Sequence, residues 1–224
     1  MKALVQMRLI GYVRTGRFII PLIATLVLLG ILYGGGEAPP VEAYGVSALL
    51  LFPVLAWQTK LLLDAEPDVQ RRMSLTAIGS PARELAAGLI AAALAALPFI
   101  LLALLLPWVF GGVSAVNAGS ALALGPWAHL LVVPPALAIG GMSSRVLTRT
   151  AGRGAAVLAS GVVLAFVLGL HGSPVPWLAP PLVATARSMA DVAPAPALAG
   201  LTVWALVWSA VAIGGYGWLR RTRT

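Results

Sequence analysis

Residues 85 to 144 read LAAGLIAAALAALPFILLALLLPWVFGGVSAVNAGSALALGPWAHLLVVPPALAIGGMSS, and none of them is Asp, Glu, Lys or Arg. A helix needs about 20 mostly apolar residues to cross the hydrocarbon core of a bilayer, so this stretch is too long for one crossing. Its middle is interrupted by residues that favour a turn: Pro107, Gly111, Gly112, Asn117 and Gly119. The stretch therefore predicts two membrane spans, at about 85–106 and 121–142. Pro134 and Pro135 lack amide donors and predict a bend in the second of these spans.

Basic residues are confined to short segments between the uncharged stretches. All but one of the 15 Lys and Arg residues fall in four clusters, which are Lys2, Arg8, Arg14 and Arg17; Lys60, Arg71, Arg72 and Arg83; Arg145, Arg149 and Arg153; and Arg220, Arg221 and Arg223. Basic residues beside membrane spans stay on the cytoplasmic side, and a hairpin of two spans joins each consecutive pair of clusters. The pattern predicts an all-α membrane protein with six transmembrane helices, both termini cytoplasmic, and a single domain over residues 1–224.

The other four spans are predicted at about 18–33, 44–63, 155–170 and 197–219. Lys60 stands near the inner end of the second span, where we expect its long side chain to extend to the membrane interface. A secretory signal peptide is the alternative interpretation of residues 18–33, because the small residues near position 43 resemble a cleavage site. The long basic lead and the length of the apolar run favour a membrane span instead.

The composition points to the same class of protein. Hydrophobic residues make up 60% of the chain and charged residues 10%, whereas a soluble domain has about 25% charged residues. The net charge of +8 does not indicate nucleic-acid binding, because the basic residues stand at helix ends and not on one face with stacking aromatics. Contacts with the lipid bilayer account for them. The predominance of arginine over lysine suggests a bacterial source, so we expect a multi-pass protein of the bacterial inner (plasma) membrane.

Residues 171 to 196 differ in composition from the predicted spans. They contain six prolines, which make the segment too broken for a spanning helix, and they are too apolar for a solvated linker. We expect a short helix at about 182–192 that lies at the outer surface or dips partway into the membrane. This broken outer segment precedes the sixth span.

Residues 64 to 84 read DAEPDVQRRMSLTAIGSPARE and form the one sizeable cytoplasmic segment in this topology. Pro67 suits a first helical position, and Asp68 stands four residues before Arg72, where the two can pair. Gly79 predicts the end of that helix. Ser80-Pro81 then predicts the N-cap and first turn of a helix that continues into the third span. The plain interpretation is a capped, solvated loop; the functional interpretation is a short rigid helix that transmits a push to the membrane spans.

This segment, in a six-span chain with inner termini, resembles the permease subunits of ABC-2 type exporters. In that family a charged helix between the second and third spans is followed by a Ser/Thr-Pro turn and a Gly-containing third span. The positions that carry the resemblance are Glu66, Arg71, Arg72, Ser80, Pro81, Arg83 and Gly88. The proline-rich outer segment also resembles the re-entrant hairpin that such permeases have before the sixth span. Residues 2 to 17 do not sort their basic residues onto one face, so they do not predict the surface helix that the family has at its N-terminus.

The resemblance implies a function as the transmembrane subunit of an ATP-driven exporter of a hydrophobic or amphiphilic substrate, such as a drug, a lipid or a lipophilic peptide. It implies an ATPase-coupling interface formed by Glu66, Asp68, Arg71, Arg72, Ser80, Pro81 and Arg83. ATP binds in a separate ABC ATPase subunit, since the chain has no GxxxxGK[ST] phosphate-binding loop, and this chain is expected to be neither an enzyme nor a carrier of a cofactor. A second permease copy or a paralogue completes the pathway, and Gly30 and Gly34, spaced as GxxxG, are a possible packing face for it.

Other functions remain open at this stage. One is the substrate-binding membrane component of a vitamin-type uptake system, which also has about six helices and an external ATPase. Another is an intramembrane enzyme, for which His129, His171 and Ser173 are the candidates, although a serine and a histidine must then meet from separate helices beside an oxyanion hole. With two histidines and no cysteine, we expect no metal site. If the ABC-2 interpretation is right, charge reversal at Arg71 and Arg72 lowers substrate-stimulated ATP hydrolysis by the complex.

Overall fold

The structure, a computed structural model, describes residues 1–114, 118–191 and 193–223. The described part of the chain is helical, as predicted, and its only β structure is an isolated β-bridge between Ala38 and Val113. The helices are α1 (Lys2–Arg14), α2 (Ile19–Tyr33), α3 (Pro40–Leu63), α4 (Asp68–Ile78), α5 (Pro81–Val109), α6 (Ala118–Leu131), α7 (Val133–Met142), α8 (Arg145–Thr148), α9 (Ala151–Gly169), α10 (Leu182–Ala190) and α11 (Ala195–Arg223), with a 3-10 turn at Pro176–Leu178 before α10.

Five helical stretches of the described chain are long and apolar enough to cross a membrane. They are Pro40–Leu63, Pro81–Val109, Gly119–Thr148, Ala151–Gly169 and Ala195–Thr222. The pair of α1 and α2 passes the same test only when the two are taken together, and they meet at 72°. An all-helical fold with five to six apolar helices that could span a membrane is therefore confirmed for the described residues. Which side of a membrane each end faces stays a prediction.

The helix boundaries follow the capping signals. Gly79 ends α4 with φ of 68°, the left-handed conformation that favours glycine. The Ser80 hydroxyl then accepts a hydrogen bond from the Arg83 amide at 3.4 Å, and Pro81 opens α5. One detail is corrected: Pro67 is the N-cap residue of α4 and does not occupy its first helical position, so the helix begins one residue later than the prediction.

The fourth span is broken where its prolines predict. α6 ends at Leu131 and α7 begins at Val133. Pro134 and Pro135 lie in the first turn of α7, where the amides that proline lacks have no partner within the helix. The prolines therefore divide the span at a point where few hydrogen bonds are lost.

The N-terminal segment differs from the prediction. Residues 2–14 form the helix α1. Their basic residues are not sorted to one exposed side because one of them, Arg8, is buried, with 7% of its surface exposed. Gly16, at φ of 67°, makes the turn into α2. α2 itself begins at Ile19 and has 15 residues. The chain thus enters the bundle through a bent helix pair.

α3 is the central helix of the fold and packs against α2, α5, α6, α7 and α10. Small residues bring its neighbours close: an added Cβ at Gly140 in α7 would lie 2.5 Å from the Ala56 carbonyl oxygen. The face of α5 toward the core is lined by Ala87, Ala91, Ala92, Ala95, Ala96 and Ala103. α9 and α11 are mostly exposed, with 11% of their apolar windows buried, which suits helices that face lipid or a partner.

α10 confirms the short helix expected in the proline-rich segment. It spans Leu182–Ala190; Val192, the predicted end, lies outside the described residues. α10 packs on α3 at Gly45, where an added Cβ would lie 3.0 Å from the Ala186 carbonyl oxygen. The Leu178 carbonyl accepts a hydrogen bond of 2.7 Å from Trp208 of α11. The segment is therefore folded back among the long helices.

Candidate functional site

Charged side chains gather at one end of the bundle, which we call the charged end. It comprises the end of α3, α4, the beginning of α5, α8, the end of α11, and α1, which lies across them. Its buried or half-buried charged residues include Arg8, Arg17, Lys60, Asp64, Glu66, Arg71, Glu84 and Arg220, and the more exposed Arg145 contacts Asp64. Two carboxylates, Glu84 and Asp64, organise most of these residues into two clusters.

Glu84 lies in the first turn of α5 and is 1% exposed. Its two carboxylate oxygens accept hydrogen bonds from different helices, Oε1 from Arg8 of α1 and Oε2 from Arg220 of α11. A buried carboxylate is stable only when it is paired and hydrogen-bonded. Glu84 meets that requirement by joining the first and the last helix of the chain to the beginning of α5.

Arg8 also connects Glu84 to the segment that leads into α4. Its Nη2 and Nε donate to Glu66 Oε2 at 2.7 and 3.1 Å, and its Nη1 donates to the Glu84 carbonyl oxygen at 3.1 Å. Ser74 of α4 donates to the other Glu66 oxygen at 2.7 Å. Burial alone lowers the pKa of Arg8, but the hydrogen bonds and charges of Glu84 and Glu66 more than offset this, so the pKa lies above its ordinary value. Arg8 therefore stays charged.

Gly88 explains how α1 approaches α5 so closely. A Cβ added at Gly88 would lie 2.5 Å from Arg8 Nη1 and 2.9 Å from the Leu63 side chain. The glycine thus leaves room for the buried guanidinium over the surface of α5. This residue belongs to the pattern that resembles ABC-2 permeases, and here it has a direct steric role.

Asp64 organises the second cluster at the end of α3. Its Oδ2 pairs with Lys60 Nζ at 2.6 Å, and its Oδ1 accepts from the Arg145 amide at 2.7 Å. The Asp64 carbonyl accepts a further hydrogen bond of 2.7 Å from Arg17. Lys60 is buried, with 7% of its surface exposed, and its side chain reaches one turn toward the end of α3 to pair with Asp64; its extension to the membrane interface stays a prediction.

α4 has two different faces. Its inward face consists of half-buried residues at i, i+3, i+4 and i+7, namely Arg71, Ser74, Leu75 and Ile78. Its outward face consists of exposed residues with the same spacing, namely Val69, Arg72, Met73, Thr76 and Ala77. Val69 is 72% exposed and Met73 is 67% exposed. The fixed helix therefore presents a partly apolar strip to its surroundings.

The residues predicted for the coupling interface divide between these positions. Arg72 and Arg83 are exposed, whereas Glu66 is held by Arg8 and Ser74. Arg71 is half-buried on the inward face, and the side chain of Asp68 lies outside the described part of the structure. Ser80 and Pro81 start α5. Gly30 and Gly34 are exposed at the last turn of α2, beside a groove of about 590 Å³ that they line with Tyr33 and Phe110 among others.

Sequence reasoning missed the partners that hold this site together. In the sequence, Arg8, Arg145 and Arg220 count only as topology signals, and Asp64 only as the first residue of the charged segment 64–84. The available signal was the presence of single acidic residues beside basic clusters at span ends, since a carboxylate at such a position is stabilised by a nearby cation.

An apolar cavity lies at the other end of the bundle, between α3, α5 and α6. Its volume is about 440 Å³, and its lining includes Tyr44, Leu104, Trp108 and Leu122. The Tyr44 hydroxyl donates to the Leu104 carbonyl at 2.7 Å and accepts from the Trp108 indole. The cavity wall is therefore apolar, with its few polar atoms already satisfied.

A serine and a histidine from separate helices do meet in this protein: His129, one of the three candidates, meets Ser47, which is not among them. Ser47 Oγ of α3 lies 3.0 Å from His129 Nε2 of α6, and His129 Nδ1 is 2.8 Å from the Gly125 carbonyl. Both residues have 0% of their surface exposed. Since a reacting group must be reachable by substrate, this pair is an interhelical hydrogen bond.

Within the described residues, no group of three or more His, Cys, Asp or Glu side chains has the arrangement to hold a metal ion. Comparison with protein-family models, with curated proteins and with solved structures gives no match. Function must therefore be argued from the charged end and from α4.

Proposed function

We propose that this chain is the transmembrane subunit of an ATP-driven exporter of the ABC-2 type, and that the outward face of α4 binds the separate ATPase subunit. The observation that carries the proposal is the combination of a fixed helix and an exposed strip. Val69 and Met73 are largely exposed on α4, which Ser74 joins to the buried ion pair of Arg8 and Glu66. Exposed apolar residues in a rigid frame are typical of a protein–protein contact.

The connections of α4 suit the transmission of force. Two residues, Gly79 and Ser80, separate α4 from α5, so a displacement of α4 acts directly on the long helix that follows. Glu66 connects the start of α4 to Arg8, and Glu84 passes that connection to α11. A displacement of α4 would therefore be transmitted to α5, α1 and α11. A flexible loop at this position would not transmit it.

In this proposal the charged end faces the cytoplasm of a bacterial cell, because basic residues beside spans remain on that side. Both termini lie at that end, since α1 and the end of α11 meet Glu84 there. The ATPase subunit supplies the nucleotide site. A second permease copy or a paralogue packs against this one, for which the exposed surface at Gly30 and Gly34 is available.

The apolar cavity supports a hydrophobic or amphiphilic cargo. It opens between long helices, and its side chains are almost entirely apolar, with Tyr44 and Trp108 at its wall. A site of this composition favours hydrocarbon over an ion or a sugar. Drugs, lipids and lipophilic peptides are the classes that fit it.

The test is purification of the tagged chain from its native membranes in mild detergent. We expect a protein with a GxxxxGK[ST] loop to copurify and the complex to hydrolyse ATP. Arg72→Glu and Met73→Asp place negative charge on the outward face of α4 and should each reduce the copurified ATPase at least about tenfold, as loss of a central interface contact does. Arg153→Glu makes the same charge change as Arg72→Glu at an exposed position in α9 and should have no effect.

Two results would contradict the proposal. The first is a complex that contains no ATPase. The second is an ATPase whose binding responds equally to Arg72→Glu and to Arg153→Glu. Tight retention of a water-soluble vitamin by the purified chain would instead favour the uptake class.

A further inference from the structure

A small pocket at the charged end is not explained by the coupling role of α4. It is a small cavity of about 50 Å³ between the inward face of α4, the first turns of α5 and the last turns of α11. Its lining is rich in guanidinium groups and comprises Arg71, Leu75, Pro81, Ala82, Glu84, Leu85, Gly217, Arg220 and Arg221. Three arginines thus face one carboxylate, and that carboxylate is already paired with Arg8 and Arg220.

Arg71 has unused hydrogen-bond donors in this pocket. Its Nε and Nη1 are buried and have no hydrogen-bond partner among the described residues. A buried donor without a partner is costly, and the cost is greater for a charged group. Arg221, on the opposite wall, is exposed and adds a second positive charge. Arg71 therefore lacks an acceptor, since the one carboxylate of the lining, Glu84, is paired with Arg8 and Arg220.

The size and position of the pocket limit what can supply that acceptor. A volume of about 50 Å³ is roughly that of three or four water molecules, which suits one tetrahedral anion and excludes a nucleotide. The pocket lies where α5 begins and α11 ends, and Trp218, in the same last turns of α11, is 65% exposed. Exposed tryptophan is typical of the membrane interface, where lipid headgroups lie.

We propose that this pocket binds a single phosphate group through Arg71 and Arg221. Planar guanidinium groups bind phosphate oxygens through paired hydrogen bonds, and basic pockets between membrane helices bind anionic headgroups. The bound phosphate connects α4 to α11, which the ion pairs of Glu84 connect only through α5 and α1. Binding does not require the ATPase partner.

The experiment uses the purified full-length chain in detergent. Native mass spectrometry measures retention of phosphatidylglycerol and of phosphatidylcholine, and thermal unfolding is followed with each lipid and with inorganic phosphate against chloride at equal ionic strength. We expect phosphatidylglycerol to be retained and to stabilise the chain, and phosphatidylcholine to bind about tenfold more weakly because Arg71 and Arg221 repel its choline. Arg71→Gln and Arg221→Gln should each weaken retention about tenfold, whereas Arg153→Gln, an exposed control at the same end, should not.

The two sources of phosphate give different results. Stabilisation by phosphatidylglycerol alone identifies a lipid headgroup, and stabilisation by inorganic phosphate as well identifies a site for the free anion. A wild-type chain with no preference for phosphatidylglycerol over phosphatidylcholine and no response to inorganic phosphate overturns the proposal, whether or not the variants fold. Equal losses in Arg71→Gln and Arg153→Gln also overturn it.

Discussion

The substitution Glu84→Gln removes a buried negative charge that pairs with both Arg8 and Arg220. The side chains of these two arginines are 5% and 9% exposed, so water does not replace the lost partner. Breaking a buried ion pair by removing one member costs about 3–5 kcal/mol. Arg8 keeps its pair with Glu66, which places the expected loss at the lower end, about 3 kcal/mol, or about a hundredfold in the unfolding equilibrium.

The assay is reversible unfolding in mixed detergent micelles with increasing SDS, followed by tryptophan fluorescence, for which the chain has seven residues. The matched control is Glu37→Gln, because Glu37 is exposed in the turn between α2 and α3. We expect Glu84→Gln to unfold at clearly lower SDS and Glu37→Gln to match the wild type. If the two variants unfold at the same SDS fraction, the buried ion-pair cluster does not stabilise the fold and the reasoning from burial is refuted.

Three further predictions concern other contacts of the same bundle. Gly88→Ala places a methyl group against the Arg8 guanidinium and should lower the free energy of unfolding by about 1–3 kcal/mol. In the same SDS assay Gly30→Ala, which meets nothing within 4 Å, should leave it unchanged or raise it by up to about 1 kcal/mol, because alanine favours a helix more than glycine does. Asp64→Asn leaves Lys60 buried without its carboxylate and should destabilise the chain by about 3 kcal/mol. The double variant Asp64→Asn, Lys60→Met should recover part of this loss, and the absence of any recovery would count against the ion pair of Lys60 and Asp64. Ser47→Ala leaves His129 Nε2 without its partner and should cost about 1–3 kcal/mol, measured by thermal unfolding, while an unchanged midpoint would show that this hydrogen bond is not needed.

The long helices were predictable because lipid imposes strict requirements on the sequence. Apolar length, basic ends and proline interruptions located the spans to within a few residues, as for the fourth span, predicted at 121–142 and observed as α6 and α7. Ser80 and Gly79 were predictable for a local reason, since each acts on backbone groups within a few residues. Such signals need no knowledge of the tertiary structure.

The charged end was not predictable in the same way. Arg8 and Glu84 are separated by 76 positions, and Glu84 and Arg220 by 136, so no local pattern indicates that they meet. The failure to predict α1 has the same origin, because its polarity pattern makes sense only once Arg8 is paired inside the bundle. Arg71 and Arg72 are neighbours in the sequence, yet one faces inward and the other outward, a difference that only the packing of α4 decides.

The placement of α4 on the cytoplasmic side can be measured directly, because the chain has no native cysteine. Met73→Cys introduces a thiol at a position that is 67% exposed, and Glu37→Cys introduces one at the other end of the bundle. A membrane-impermeant maleimide is applied, before and after permeabilisation, to spheroplasts of a host that produces the chain without its ATPase partner, so that no bound subunit covers position 73. The account predicts that Glu37→Cys reacts in intact spheroplasts and that Met73→Cys reacts only after permeabilisation; reaction of Met73→Cys in intact spheroplasts would contradict it.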